Sequence, residues 1–212
     1  MGPGQQGISE TLLPNQEVRN PGQVELNLKG KRVCVFGLQG SGKTIWTKNM
    51  ALRYRTLVID ILGEYNTQNY FVVRPEAKQL GPQLAGEFQQ AMDEYVFSKK
   101  YQWDMLVIDE ASQYFPPKPA PLHPAMMRLN DFNRHMGLAF TCVARRPTQL
   151  HSDLTELAHY NIFFKLTGLN DMKRLRDMYP GLDAAVFSLG PREFIVYETG
   201  KRFYKCKPIA VA

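Results

Sequence analysis

The chain has no run approaching the roughly 18 apolar residues that a membrane-spanning helix requires. Residues 1–10 (MGPGQQGISE) lack both the basic start and the apolar centre of a secretory signal. Both absences predict a soluble intracellular protein. Cysteine is scarce: Cys34, Cys142 and Cys206 are odd in number, far apart and outside any CxxC or Cys/His cluster. That pattern favours reduced core thiols over a disulfide framework or a metal site. There is no internal repeat, and with 22% charged and 44% hydrophobic residues neither wholesale disorder nor a coiled-coil or collagen-like chain is expected. What remains is a globular chain of 212 residues, enough for one well-buried domain and little more. Its 26 Lys and Arg against 20 Asp and Glu leave a formal charge of +6, compatible with a polyanionic partner without identifying one.

Residues 1–23 are rich in Gly, Pro, Gln and Asn and are expected to form an N-terminal arm without a core, ahead of a single folded domain over 24–212. Within that domain, short apolar runs at 32–36, 56–61, 70–73, 105–108, 138–143 and 161–166 read as strands. Helical patterns fall at 44–54, 82–98, 124–135, 152–159 and 171–178. Segments 193–198 and 202–207 flank Thr199-Gly200-Lys201 as a C-terminal β-hairpin. The uninterrupted run Met105-Leu106-Val107-Ile108 suits a strand covered on both faces of a mostly parallel sheet. Alternating strands and helices predict a three-layer α/β fold. Pro116, Pro117, Pro119, Pro121 and Pro124 mark an extended surface loop. Lys118 and His123, with Tyr114 and Phe115 beside them, either project from this loop to touch nucleic-acid phosphates or belong to an ordinary solvated loop. Trp46 and Trp103 are expected to pack.

Between the first strand and the first helix, Gly37-Leu38-Gln39-Gly40-Ser41-Gly42-Lys43-Thr44 fits G-x-x-x-x-G-K-[ST]. Average residue frequencies produce such a match in roughly one chain in a hundred of this length, and the strand-loop-helix placement makes it rarer. Glycines let successive N–H groups turn inward around phosphate oxygens, and the helix N-terminus adds partial positive charge. Gly37, Gln39, Gly40, Ser41, Gly42, Lys43 and Thr44 are therefore the candidate nucleotide-binding residues. Lys43 is expected to reach the β- and γ-phosphates and Thr44 to ligate Mg²⁺, with ATP and Mg²⁺ as the implied cofactors.

The run MLVID ends in Asp109, followed by Glu110. A strand ending in two carboxylates is common in isolation, but downstream of a phosphate loop it becomes specific. Asp109 is placed to hold Mg²⁺ opposite the loop, as a Walker B aspartate does. Glu110 is placed to polarise the attacking water. A water-activating carboxylate suits hydrolysis, whereas a small-molecule kinase has to exclude water.

Several segments together resemble the HerA/FtsK superfamily of DNA-pumping ATPases: the phosphate loop, Asp60-Ile61-Leu62-Gly63-Glu64-Tyr65 after the second strand, VIDEAS, and Arg134-His135 ahead of GLAFTCVARRP. The D-x-x-G-E-Y element is similar to the HerA branch. Arg134-His135 is similar to the genome-packaging ATPases of tailless, membrane-containing icosahedral viruses. The likeness spans roughly residues 31–178 and implies a RecA-like P-loop core with a mostly parallel sheet. One position departs from it: where the family commonly reads Thr-Gln-Arg-Pro, this chain reads Ala144-Arg145-Arg146-Pro147. Arg145 replaces the sensor Gln. A guanidinium can contact a γ-phosphate or act as an arginine finger in cis, but it only donates and cannot accept from a water.

The resemblance also implies a ring in which one subunit inserts an arginine into its neighbour's site, with Arg134 the first candidate and Arg146 the second. The other reading for either arginine is a helix cap or a solvated side chain. Glu64 helps position water or Mg²⁺, or belongs to an ordinary turn built on Gly63. Lys173, Arg174 and Arg176 line a DNA path or form a charged face. By resemblance the chain is an ATP-hydrolysing translocase of double-stranded DNA, and its short length points to a viral packaging motor. The ring is expected to be a pentamer or hexamer, with capsid or virion membrane proteins as further partners, in the host cytoplasm or associated with the virion. A HerA-like plasmid or host translocase, a P-loop small-molecule kinase, and a nucleotide-dependent switch are the alternatives.

Overall fold

A computed structural model describes residues 18–19, 26–98 and 100–209. Of the expected arm, only Val18–Arg19 falls among them; the rest of 1–23 lies outside the described residues. In chain order the elements are β1 (Val18–Arg19), β2 (Arg32–Phe36), α1 (Lys43–Ala51), β3 (Thr56–Ile59), β4 (Phe71–Val73), α2 (Pro82–Ala91, continued by π-helical turns to Phe97) and β5 (Met105–Ile108). There follow α3 (Pro124–Met136), β6 (Ala139–Ala144), α4 (Ser152–Glu156), β7 (Tyr160–Phe164), α5 (Leu169–Met178), α6 (Leu182–Phe187), β8 (Phe194–Glu198) and β9 (Arg202–Cys206).

The strands form one sheet in the order β1-β9-β8-β7-β2-β6-β5-β3-β4. From β4 to β7 every pairing is parallel, and β8 and β9 close the sheet as an antiparallel hairpin, as the turn at Gly200 predicts. The central strands are buried throughout: β3, β5 and β6 expose no residue. Their side chains alternate between two faces. Val33, Val35, Val58 and Val107 meet Trp46 and Met50 of α1, while Cys34, Phe36, Ile59 and Ile108 meet Leu84 and Phe88 of α2 and Met126 and Leu129 of α3. Helices on both faces of a mostly parallel sheet complete the three layers. Phe36 of β2 stacks on Phe163 of β7 at 5.3 Å, locking the phosphate-loop strand against its neighbour.

Differences from the sequence reading have local causes. The proline loop is pinned down: Tyr114 and Phe115 are buried against Phe88, and Lys118 pairs with Asp153 at 2.6 Å. His123 caps α3 by accepting from the Ala125 N–H at 3.2 Å. Aromatic burial outweighs the extended conformation that the prolines impose. Helix α6 has no counterpart among the expected elements because six residues are too few to display a helical period. Trp46 is buried, and Trp103 packs while donating its indole N–H to Tyr95 O at 2.9 Å. All three cysteines are buried, and none forms a disulfide. Among the described residues no helix is long and apolar enough to cross a membrane.

At the N-terminal edge of the strands, His159 accepts the Arg32 N–H at 3.1 Å through Nδ1. Burial, with Lys31, Arg32, Arg134 and Lys201 nearby, lowers its pKa to about 4. The unfolded imidazole takes up its proton near its ordinary value of about 6.5. This group's stabilisation is therefore complete above that pH and is lost as pH falls toward 4. In denaturant titrations, His159→Asn, which keeps an acceptor for Arg32, should lose less stability than wild type between pH 6.5 and 4.5. Equal losses would remove His159 from the acid response.

Candidate active site

A parallel sheet places the carboxyl ends of its strands along one edge, where loops can converge on a ligand. Here β2 leads into the phosphate loop, β3 ends before Asp60, β5 before Asp109, and β6 before Arg145. The order β2-β6-β5 sets the tip of β6 between the phosphate loop and the two carboxylates. Gly37 donates its N–H to the Arg145 carbonyl at 3.2 Å, tying the loop's entry to that tip. A Cβ at Gly37 would lie 2.7 Å from Phe164 Cβ and 2.5 Å from Ser41 Oγ, so the loop closes only around glycine. Gly40 and Gly42 have φ of +74° and +110°, left-handed values at which a side chain is strained. They turn the chain into α1, whose first residue is Lys43.

Each side chain of the loop has a defined place. Gln39 is exposed. Ser41 Oγ is buried without a hydrogen-bond partner among the described residues, an orphaned donor inside a cradle of backbone amides. Lys43 Nζ donates to Leu38 O at 3.1 Å. Burial lowers its pKa, and Glu110, Asp109 and Glu64 act in the opposite sense. Thr44 Oγ1 donates to Glu64 Oε2 at 2.9 Å, which leaves its lone pairs free for a cation.

Across the site, Asp109 is buried and its pKa is pushed up to about 7, first by desolvation and then by Glu110, Glu64 and Asp60. A divalent cation at this point would reverse that shift. No group of three or more His, Cys, Asp or Glu among the described residues could hold a metal by itself. Thr44 and Asp109 therefore suit a Mg²⁺ that also draws on phosphate oxygens, the usual manner of that ion. Glu110 has φ +46°, uncommon for a residue with a side chain. Its Oε1 accepts from Arg145 Nε at 3.0 Å.

The remaining arginines separate. Arg146 is committed to the start of α5: its Nε donates to Asp171 at 2.7 Å, and Thr148 binds the other carboxylate oxygen at 2.8 Å. Arg134, exposed in the last turn of α3, backs onto Gly30 at the N-terminal end of β2. The five residues of β2 span about 16 Å, so Arg134 lies at the far end of the sheet from its own phosphate loop.

Asp60 is a positioning residue that sequence reasoning missed. Fully buried, it accepts the N–H groups of Gly63 (2.8 Å), Glu64 (3.1 Å) and Tyr65 (3.0 Å), and Arg74 stands 3.6 Å from it. It shapes the turn that presents Glu64 to Thr44. An Asp three to five residues ahead of Gly-Glu-Tyr is the signal that could have revealed it. Asp60→Ala strands three amides and should destabilise the fold by about 2–3 kcal/mol in urea denaturation, with Asp60→Asn retaining part of the loss.

No family model and no curated protein sequence matches the chain. Solved structures do. The genome packaging NTPase B204 from Sulfolobus turreted icosahedral virus 2, in complex with AMPPCP, superposes with a TM-score of 0.72 at 22% identity, covering 87% of this chain and all of the other. B204 from Sulfolobus turreted icosahedral virus, a DNA-packaging ATPase, gives 0.73 at 19% identity over 86% of this chain and 100% of that one. The N-terminal domain of zonular occludens toxin from Neisseria meningitidis gives 0.50 at 18% identity, over 81% and 86%. At these identities the likeness is one of fold. The fold of this chain is that of the B204 NTPases, a three-layer α/β core around a mostly parallel sheet.

Proposed function

We propose that this protein is an ATP-hydrolysing, ring-forming translocase of double-stranded DNA that serves as a viral genome-packaging motor. The observation that carries the proposal is the convergence, on one sheet edge, of the glycine cradle, Lys43, Thr44, Asp109 and Glu110. The fold shared with B204 supports the packaging role. In this reading the loop amides, the Ser41 hydroxyl and Lys43 bind the phosphates of ATP. Thr44 and Asp109 hold Mg²⁺, which would neutralise charge on the transferred group. Glu110 orients the attacking water and accepts its proton. Asp60 and Glu64 position Thr44.

Arg134 is the proposed finger of the ring. It cannot serve its own site, and at its end of the sheet it stands with Lys31, Arg32 and Lys201, whereas the other end gathers Asp60, Glu64, Asp109 and Glu110. Two different surfaces at opposite ends suit head-to-tail association, the kind that closes into a ring. The site of action is proposed to be the host cytoplasm, at the capsid or virion membrane. A plasmid or host translocase would share all of these features.

Purified protein should hydrolyse ATP in the presence of Mg²⁺, and Lys43→Ala or Glu110→Gln should lower turnover by at least two orders of magnitude. Double-stranded DNA should stimulate the rate, less so as salt rises. Turnover without DNA stimulation at any salt would favour the kinase or switch alternatives. Mixing Arg134→Ala with Lys43→Ala subunits should restore part of the activity that each lacks alone. Normal hydrolysis by assembled Arg134→Ala would show that the finger lies elsewhere.

A further inference from the structure

Arg145 occupies the place between the two halves of the site. Its backbone is fixed, because its carbonyl accepts from Gly37, the first residue of the phosphate loop. Its side chain is half exposed, while the Glu110 side chain that it grips is only 14% exposed. The pair is a single hydrogen-bonded contact through Nε, which leaves the outer guanidinium nitrogens for another acceptor. Glu110 is also held at a left-handed φ and ψ of +46° and +45°, a conformation that costs free energy and persists where the surroundings impose it. Arg145 and Glu110 both act on the Lys43 ammonium, in opposite directions, so both lie within electrostatic reach of the group expected to bind the terminal phosphates.

A guanidinium binds phosphate at least as well as carboxylate, in the same forked geometry. A carboxylate paired with the Arg145 guanidinium is a weaker base toward a water than the same carboxylate released from it. We infer that the γ-phosphate of ATP and Glu110 compete for the Arg145 guanidinium, so that Arg145 is a positioning residue that releases Glu110 to the attacking water only when a γ-phosphate takes its place. ADP, which has no γ-phosphate, leaves the pair intact. The inference rests on the ATPase reading above and adds to it a selectivity for the triphosphate, set by breaking one ion pair. It is particular to this chain, because an uncharged Gln at this position could not form that ion pair.

Calorimetric titration of the full chain with Mg-AMPPCP and with Mg-ADP, in wild type, Glu110→Gln, Arg145→Gln and the double variant, tests the exchange. Glu110→Gln is isosteric and Arg145→Gln shortens a half-exposed side chain, so both should leave the fold intact. In Glu110→Gln the guanidinium no longer has to be taken from a carboxylate, so AMPPCP should bind about fivefold tighter, the size expected of a half-exposed ion pair. ADP affinity should not change. In the Arg145→Gln background the same Glu110→Gln substitution should produce no tightening. Equal tightening in both backgrounds would mean simple relief of negative charge and would overturn the exchange, as would equal tightening of ADP. If wild type binds neither nucleotide, the ATPase reading itself falls, and the inference with it.

Discussion

The parallel pairing of β2 with β6 is the constraint on which the site depends. Its register runs from Arg32 opposite Phe140 to Phe36 opposite Ala144, and the Gly37 N–H to Arg145 carbonyl bond extends it one step beyond the ladder. The phosphate loop therefore cannot shift without shifting the tip of β6. Because β5 pairs with the other side of β6, Asp109 stands two strand spacings from the loop, about 10 Å. That interval leaves room for a small polar ligand and a cation between Thr44 and Asp109.

Electrostatics turns this geometry into chemistry. Four carboxylates, those of Asp60, Glu64, Asp109 and Glu110, gather at one edge, and burial, reinforced by the other three, pushes the pKa of Asp109 up to about 7. Asp60 is engaged by three backbone amides, Glu64 by Thr44 and Glu110 by Arg145, whereas Asp109 has a backbone hydrogen bond at Glu110. Asp109, buried and least compensated, is where a bound cation would relieve the most repulsion. The excess of positive charge in the chain is thus not uniform. Part of it, in Lys43 and Arg145, offsets these carboxylates, and part, in Lys31, Arg32, Arg134 and Lys201, collects at the opposite edge around His159.

Much of the fold was legible in the chain because burial on both faces of a parallel strand requires mostly apolar runs, and Met105–Ile108 and Ala139–Ala144, interrupted only by Thr141, are such runs. The turn between β2 and α1 was legible because its glycines permit the left-handed backbone found at Gly40 and Gly42. The roles of Asp60 and Asp171 were not, since a buried carboxylate is recognised by what it binds. Asp171 binds Arg146 from twenty-five positions away. Tyr114 and Phe115 misled for a related reason: beside a proline-rich loop they resemble surface aromatics, and only the approach of Phe88 from α2 makes them core.

The sequence by itself determined the chemistry available to this protein: a glycine-rich loop with Lys43 and Thr44, a strand ending in Asp109 and Glu110, and the arginine pair Arg145-Arg146 after a further apolar strand. Those are local properties, set by residue type and spacing along a few consecutive positions. Only the tertiary structure decided which groups face one another. It bound Arg146 to Asp171, sent Arg134 to the far end of the sheet and brought Arg145 against Glu110. Strand order and register set those encounters, and they arise from long-range packing that no local window of sequence contains.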